Sequence, residues 1–223
     1  MRLRHIHGCE AFVVDSPDVI SAPEKHYGKW HELFGNENPI ELEIGMGKGR
    51  FIRELSLKHP ERNFLGIERY ESVLMKAIQR KDREEEALPE EKRRKNLYFI
   101  CDDAARLPEM FQPGEISRIY LSFSDPWPKA SHAKRRLTSD RFLKLYEKVL
   151  KPEGTIEFKT DNKALFAWSV ETVPEAGWEI LYQTEDLHAE PDAEDNIMTE
   201  YEEKFSGRGQ KICKFVIRRK KDD

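Results

Sequence analysis

Residues 40–51 combine acidic side chains with three closely spaced glycines. The segment reads I-E-L-E-I-G-M-G-K-G-R-F, with Gly45, Gly47 and Gly49 in its second half. Alternating apolar and acidic residues predict a strand before the glycines, and an apolar helical pattern begins at Phe51. A strand, a glycine-rich turn and a helix form the unit that binds nucleotide-like ligands at the carboxyl edge of an α/β sheet. The segment is therefore the first candidate cofactor site.

The glycine spacing selects among nucleotide-like cofactors. The dinucleotide fingerprint G-x-G-x-x-G would need glycine at position 50, which is Arg50. The pattern present is E-x-G-x-G-x-G, starting at Glu43, and it resembles the first motif of class I S-adenosylmethionine-dependent methyltransferases. One alternative, a nicotinamide-dependent oxidoreductase, is disfavoured because position 50 is not glycine. The other alternative is that the glycine-rich turn has only a structural role and binds no ligand.

An acidic residue follows at the interval expected for a ribose contact. Residues 63–69 predict a second strand that ends in Glu68, 25 residues after Glu43. In nucleotide-binding βαβ units an acid about 20 residues on meets the ribose hydroxyls. A carboxylate suits this task because it can accept hydrogen bonds from both hydroxyls. A third strand, residues 96–101, leads to the acidic pair Asp102 and Asp103.

A proline-rich loop follows the fourth predicted strand, residues 117–123. It reads S-D-P-W-P-K. Asp125 precedes the first proline, Trp127 lies between the two prolines, and Lys129 follows the second. Prolines restrict the backbone, and methyl transfer depends on rigid alignment of the reacting groups. An acid beside an aromatic ring offers a hydrogen-bond acceptor for a base edge and a surface for stacking. The alternative is a purely structural turn with a buried tryptophan.

The charges are nearly balanced, so any nucleic-acid binding must be local. The chain has 38 basic and 42 acidic residues and a formal net charge of −4, which gives no global basic field. Lys129, Lys134, Arg135 and Arg136 form a basic patch that predicts phosphate contacts. Acids and bases mix over residues 80–95, so that stretch is interpreted as a solvated helix end and loop.

The length of 223 residues suits one large α/β domain. We expect a Rossmann-like, doubly wound, seven-stranded and mostly parallel sheet. Residues 177–183 and 211–217 should form an antiparallel edge hairpin, and a polar insertion lies between them. Residues 1–39 are expected to be an N-terminal extension that packs on a single catalytic domain, residues 40–223.

Several classes of protein are disfavoured by simple counts. No run of about 18 apolar residues exists, and the N-terminus lacks the apolar core of a signal peptide. Cys9, Cys101 and Cys213 are odd in number and far apart, which indicates reduced thiols in a cytoplasmic protein. His5, His7 and Cys9 alternate without a further set of ligands nearby, so no metal site is predicted.

The motifs together are more specific than any one of them. They are Glu43-x-Gly45-x-Gly47-x-Gly49, Gly66-Ile-Glu68, Phe123-Ser-Asp-Pro-Trp-Pro-Lys129, Lys159-Thr-Asp161 and Thr199-x-Tyr201-Glu202-x-x-Phe205. In this order they resemble the bacterial tRNA (guanine-N7-)-methyltransferases, from about residue 2 to residue 217. The family often has asparagine at the position of Ser122, and the charged stretch 80–95 is longer here.

The resemblance implies an activity, a cofactor and a set of contact residues. The methyl group of S-adenosyl-L-methionine would pass to N7 of guanosine 46 in the tRNA variable loop, leaving S-adenosyl-L-homocysteine. No metal, membrane or obligate protein partner is implied, and the chain would be a monomer or a homodimer. The implied cofactor residues are Glu43, Gly45, Gly47, Glu68 and Asp103, with Asp125 between the cofactor and guanine as the catalytic residue. The implied tRNA contacts are Lys129, Asp161, Thr199 and Glu202, with Tyr201 as a packing or stacking neighbour.

The residue types suit this chemistry. Guanine N7 has a lone pair and no proton, so its attack requires no general base. The product ring gains positive charge, which the carboxylate of Asp125 could stabilise as it develops. A non-enzymatic RNA-binding protein with a relict cofactor fold is disfavoured, because the cofactor acids and Asp125 are all present. Another base or atom of tRNA remains open as the methyl acceptor.

Overall fold

The computed structural model describes residues 5–191 and 193–221, so the early basic residues Arg2 and Arg4 lie outside the described residues. The chain divides into two compact units, residues 1–111 and 112–223. The seven strands form one sheet in the order β3-β2-β1-β4-β5-β7-β6, with the helices that an α/β fold requires. The predicted fold class is therefore confirmed.

The first unit contains three parallel strands joined by helical crossovers. Its elements are α1 (Cys9–Asp15), α2 (Trp30–Phe34), β1 (Ile40–Ile44), α3 (Arg50–Lys58), β2 (Asn63–Ile67), α4 (Glu71–Glu86), β3 (Leu97–Ile100) and α5 (Leu107–Met110). β2 pairs in parallel with β1 and with β3. Every residue of β1 and β2 is buried, as expected for parallel strands covered on both faces.

The second unit combines a parallel pair with an antiparallel hairpin. Its elements are β4 (Ile116–Ser122), α6 (Asp140–Val149), β5 (Leu150–Thr160), α7 (Lys163–Glu175), β6 (Trp178–Thr184), α8 (Glu200–Ser206) and β7 (Cys213–Arg219). β4 pairs in parallel with β5, and β7 runs antiparallel to both β5 and β6. The last two strands thus form the predicted antiparallel hairpin at the edge.

Part of the N-terminal region contacts the edge strand β3. Val19 forms a parallel bridge to Phe99, whose N–H donates to the carbonyl of Asp18 at 2.8 Å. Trp30 is fully buried, and its indole Nε1 donates to the carbonyl of Met110 at 3.0 Å. Trp30 therefore has a packing role, while the boundaries 1–39 and 40–223 stay a prediction.

The charged stretch 80–95 is less exposed than predicted. Lys81 is 2 % exposed and Arg94 is 8 % exposed. Lys81 Nζ lies 2.9 Å from Asp18 and 3.0 Å from Glu85, and Arg94 pairs with Glu85 and Glu84 at 3.1 and 2.6 Å. The solvated interpretation is wrong for these residues, because the mixed charges pair with each other and so tolerate burial.

Two further observations concern the described helices and the cysteine thiols. No helix in the described ranges is long and apolar enough to cross a membrane. None of Cys9, Cys101 and Cys213 forms a disulfide. Burial raises the pKa of the Cys101 thiol to about 12, so this group stays protonated at neutral pH.

Candidate cofactor and RNA sites

The glycine-rich turn follows β1 with its backbone in the left-handed region. Gly45 and Gly47 have φ angles of 72° and 58°, which side chains other than glycine adopt only with strain. The N–H of Gly45 donates to the carbonyl of Ile67 at 2.9 Å, which ties the turn to the end of β2. A Cβ built on either glycine would meet no atom within 4 Å. The turn therefore leaves open space beside its backbone.

Glu68 stands at the end of β2 and holds the turn. Its Oε2 accepts from the N–H of Gly47 at 3.0 Å, and its Oε1 accepts from the N–H groups of Arg69 and Tyr70 at 2.9 and 3.1 Å. Burial raises the pKa of the Glu68 carboxyl above 4.5, while the backbone hydrogen bonds oppose this rise. A carboxylate has about four acceptor positions, so capacity for a ligand hydroxyl remains.

Glu43 and Asp103 are the other two predicted cofactor acids. Glu43 lies in β1 and is 1 % exposed. Asp103 is half-buried and follows β3, where its Oδ1 caps a short 3₁₀ helix by accepting from Ala105 N–H at 2.8 Å. Its Oδ2 lies 3.5 Å from Arg69 Nη1. Asp102 pairs with Arg106, and its side chain is 17 % exposed. The side chain of Asp103 is 44 % exposed, so Asp103 is the more accessible of these two acids.

The first unit thus brings three acids to the ends of adjacent parallel strands. Glu43 lies in β1, Glu68 directly follows β2, and Asp103 lies in the turn after β3. The carboxyl ends of parallel strands form the ligand edge of α/β sheets. Carboxylates accept hydrogen bonds from amino groups and ribose hydroxyls, and they attract a positively charged sulfonium. The same charges repel a pyrophosphate. These three hydrogen-bond acceptors fit S-adenosylmethionine better than a dinucleotide.

The loop that contains Asp125 begins and turns with unusual backbone geometry. Phe123 and Trp127 have φ angles of 54° and 42°, the positive values that bulky residues rarely adopt. The N–H of Phe123 donates to the carbonyl of Lys159 at 2.8 Å, which continues the β4–β5 pairing by one residue. Asp125 and Lys129 are exposed at opposite ends of the proline-flanked Trp127.

The basic patch divides into exposed and inward-facing members. Lys129, Lys134 and Arg135 are exposed, and the Arg135 guanidinium lies 4.9 Å from the Trp127 ring centre. Arg136 is half-buried and donates from Nε to the carbonyl of Pro126 at 3.1 Å and from Nη2 to the carbonyl of Trp127 at 3.2 Å. These two donors of Arg136 face the protein backbone, and its contact with phosphates stays a prediction.

The late motif forms the start of α8. Thr199 is the N-cap: its Oγ1 accepts from the N–H of Glu202 at 2.9 Å in a capping box. Tyr201 is 43 % exposed. The centre of its ring lies 5.1 Å from the ring centre of Phe123 and 4.2 Å from that of Phe205. Its hydroxyl donates to Asp161 Oδ2 at 3.1 Å. Of the five predicted tRNA contacts, Asp161 and Tyr201 therefore lie together.

Glu202 is placed differently from the other predicted tRNA contacts. Its side chain has no exposed surface, and Lys159, 1 % exposed, lies 3.1 Å from its Oε2. Asn196 Nδ2 and His188 Nε2 lie 2.7 and 3.2 Å from its Oε1. The carboxylate of Glu202 therefore contacts other protein groups and anchors the α8 segment to β5. A direct contact of Glu202 with tRNA stays a prediction.

The sequence motifs include Lys159 but assigned no role to it in this cluster. Its Nζ donates to Glu202, to Asn196 Oδ1 at 3.1 Å and to the carbonyl of Ile197 at 2.9 Å. Its backbone carbonyl accepts from Phe123, so one residue supports both α8 and the start of the Asp125 loop. A lysine among buried β5 residues at 158–160 is a signal that could have indicated a buried partner.

A separate group of potential ligand atoms lies near the N-terminus. Within the ranges that the structure describes, His5, Cys9 and Glu10 offer ligand atoms within 4.8 Å of one another. Cys9 Sγ lies 3.3 Å from Ser72 Oγ and 3.5 Å from Glu10 Oε2, which are ordinary polar contacts. The expectation of a protein without a metal stays a prediction.

Several solved structures of methyltransferases share this fold. The 16S rRNA methyltransferase KamB aligns with a TM-score of 0.64 at 17 % identity, covering 87 % of this chain and 94 % of that one. An antibiotic-related methyltransferase aligns with a TM-score of 0.61 at 18 % identity, covering 85 % and 92 %. At these identities the likeness shows the fold alone. That fold is the class I methyltransferase fold.

Sequence comparisons define the family. A family model described as "Putative methyltransferase" matches residues 37–215. The tRNA (guanine-N(7)-)-methyltransferase of Lachnoclostridium phytofermentans is 48 % identical over 222 residues, covering 100 % of both chains. The Bacillus subtilis protein of the same name is 46 % identical and covers 97 % of this chain and 98 % of its own. The chain belongs to the tRNA (guanine-N(7)-)-methyltransferase family.

Proposed function

We propose that this protein transfers the methyl group of S-adenosyl-L-methionine to N7 of guanosine 46 in the variable loop of tRNA. The end-to-end identity with tRNA (guanine-N(7)-)-methyltransferases carries the choice of tRNA and of guanine N7. The choice of position 46 rests on the family resemblance, which the late motif around Thr199 and the Asp125 loop carry. The enzyme acts in the cytoplasm, where its tRNA substrate is found.

The first unit binds the cofactor in this proposal. Glu68 accepts hydrogen bonds from the ribose hydroxyls, using the acceptor capacity left by its three backbone donors. Gly45 and Gly47 let the ligand approach the backbone, because no side chain occupies the space beside them. Glu43 and Asp103 accept from amino groups. When bound, S-adenosylmethionine supplies an electrophilic methyl group on a positively charged sulfur.

Asp125 acts on the base rather than on a proton. The N7 lone pair of guanine would take the methyl group, so that one N–C bond would form as one C–S bond breaks and S-adenosyl-L-homocysteine leaves. The guanine ring would gain the positive charge, and no proton would be transferred. The exposed carboxylate of Asp125 stabilises the charge that develops on the ring. Alignment of the two reactants supplies the remaining acceleration.

The tRNA contacts come from the second unit. Lys129, Lys134 and Arg135 are exposed cations that contact phosphates. Tyr201 offers a partly exposed ring, and Asp161 accepts from its hydroxyl and so sets the orientation of that ring. Thr199 and Glu202 hold the first turn of α8 through the capping box. Glu202 thus contributes to tRNA binding by keeping Tyr201 in place.

Product analysis tests the proposal. The protein is incubated with S-adenosylmethionine carrying a radiolabelled methyl group and with unmodified tRNA, and the digested nucleosides are separated. The proposal predicts label in 7-methylguanosine, and no label when guanosine 46 is replaced by adenosine. Label in another nucleoside would overturn the choice of atom or base. Binding of cofactor and tRNA without transfer would favour the non-enzymatic RNA-binding alternative.

A further inference from the structure

The guanidinium of Arg136 contacts the backbone of the loop that contains Asp125. Its Nε donates to the carbonyl of Pro126 at 3.1 Å, and its Nη2 donates to the carbonyl of Trp127 at 3.2 Å. Both carbonyls therefore face the same side of the loop. A guanidinium is planar and presents its N–H groups as a rigid fork, which matches two acceptors fixed side by side.

The two carbonyls flank Trp127, a residue with a strained backbone. Its φ angle is 42°, a conformation that a bulky residue keeps only where its surroundings hold it. The neighbouring Pro126 and Pro128 have no N–H, so the loop has few donors of its own. The fork of Arg136 supplies donors from outside and holds the peptide groups on both sides of Trp127.

The fork itself is fixed from two directions. The guanidinium carbon lies over the ring of Trp168 on α7, 4.3 Å from the ring centre, so the group also packs against an aromatic side chain. The backbone of Arg136 is held on both sides: its N–H donates to the carbonyl of Ala133 at 3.0 Å, and its carbonyl accepts from Ser139 at 3.0 Å. Arg136 thus joins the loop to α7 and to the turn before α6.

We propose that Arg136 is a positioning residue for methyl transfer: it sets the direction of the Asp125 carboxylate by fixing the Pro126–Trp127 backbone, and it does not contact tRNA. This inference rests on the proposed function, because it assigns Asp125 to the reacting base. Asp125 precedes the first held carbonyl by one residue, so a shift of that peptide group moves the carboxylate. A misplacement of about 1 Å can slow an aligned reaction by about 100-fold.

The test uses Arg136→Lys in the full chain, which keeps the positive charge and loses the fork. Single-turnover transfer to unmodified tRNA should be about 10- to 100-fold slower. The affinities for tRNA and S-adenosylmethionine, measured separately by titration, should stay within about 2-fold of the wild type. Arg141→Lys is the matched control, since Arg141 is exposed on α6 and also lies near an aromatic ring, that of Phe142. It should leave rate and affinities unchanged.

A double-variant cycle separates positioning from a general loss of stability. Arg136→Lys should slow the reaction much less in an Asp125→Asn background, because the carboxylate that it positions is already absent. Trp168→Leu removes the ring beneath the guanidinium and should lower the single-turnover rate without changing the tRNA affinity. This second variant keeps the inference testable if Arg136→Lys folds poorly.

Three outcomes would overturn the inference. An unchanged rate in Arg136→Lys would show that the fork is dispensable. A weaker tRNA affinity with an unchanged single-turnover rate would assign Arg136 to phosphate binding. An equal rate loss in the wild-type and Asp125→Asn backgrounds would show that it does not act through Asp125. Failure of the proposed function appears differently, as absence of 7-methylguanosine with the wild-type protein itself.

Discussion

At the scale of single residues, the same side-chain type serves different purposes according to burial. Asp125 is exposed at the end of a constrained loop, Glu68 is buried but hydrogen-bonded by three backbone N–H groups, and Glu202 is buried against a lysine. An exposed acid can meet a base, a partly satisfied acid can bind a hydroxyl, and a fully paired acid stabilises structure. The carboxyl group alone therefore does not define the role.

Cofactor binding should weaken in acid because of Glu68. Burial raises the pKa of its carboxyl above 4.5, so protonation begins at a higher pH than in an exposed glutamate. The ribose contact needs the ionised form. As the pH falls below that raised pKa, the dissociation constant for S-adenosylmethionine should therefore rise by up to about 10-fold per pH unit. Calorimetric titration at a series of pH values measures this.

Two variants identify the source of this pH dependence. Glu68→Gln should bind S-adenosylmethionine weakly at neutral pH and lose the dependence that Glu68 causes. Glu54→Gln is the control, because Glu54 is 46 % exposed on α3 and pairs with Arg50 on the surface. It should behave as the wild type does. An unchanged neutral-pH affinity in Glu68→Gln would contradict the ribose role.

At the scale of elements, the buried pair of Lys159 and Glu202 holds α8 against β5. The two side chains are 1 % and 0 % exposed and 3.1 Å apart. Lys159→Met should destabilise the protein by about 3–5 kcal/mol, because it leaves the carboxylate of Glu202 buried without its cation. Urea unfolding measures the loss. Lys144→Met is the control: its partner Asp140 is exposed, and surface pairs contribute little.

The double variant provides the sharper comparison. Lys159→Met with Glu202→Leu removes both charges, so it should be less destabilised than the sum of the two single variants. Additive losses would show that the two side chains act independently. The single variants should also weaken tRNA affinity, since Tyr201 stands on the same first turn of α8 and is displaced with it.

The elements also show how far the sequence pattern reaches. Periodicity and glycine spacing predicted β1, the turn after it and the position of Glu68 after the second strand. These features are local in sequence, and only one helix separates the turn from the strand that precedes Glu68. The burial of Lys81, Lys159 and Arg94 was not predicted, because a charged residue becomes buried only when a distant partner compensates it. Such pairing is a tertiary property. For the same reason, the sequence placed Arg136 in the phosphate-binding patch.

At the scale of the whole molecule, a protein with a net charge of −4 must bind an anion locally. Lys129 and Lys134 are exposed members of the basic patch. Changing both to glutamate should raise the Michaelis constant for tRNA and flatten its dependence on salt, by about one unit of logarithmic slope for each lost phosphate contact. Steady-state assays at several salt concentrations measure this.

The matched control for the charge reversal lies on α6. Lys144→Glu with Lys148→Glu changes the net charge by the same amount at exposed positions outside the patch. This variant should retain a salt slope close to that of the wild type. Equal effects of the two double variants would assign tRNA attraction to the overall charge of the molecule rather than to the patch.

We propose that this chain methylates guanine N7 of tRNA with the carboxylate of Asp125 facing the developing charge. Formation of 7-methylguanosine under single-turnover conditions tests this proposal, with wild type and Asp125→Asn side by side. We expect one 7-methylguanosine per tRNA with the wild type, and a rate about 100- to 1000-fold lower with Asp125→Asn at unchanged cofactor affinity. Equal rates for the two proteins, or label in a nucleoside other than 7-methylguanosine, would contradict it.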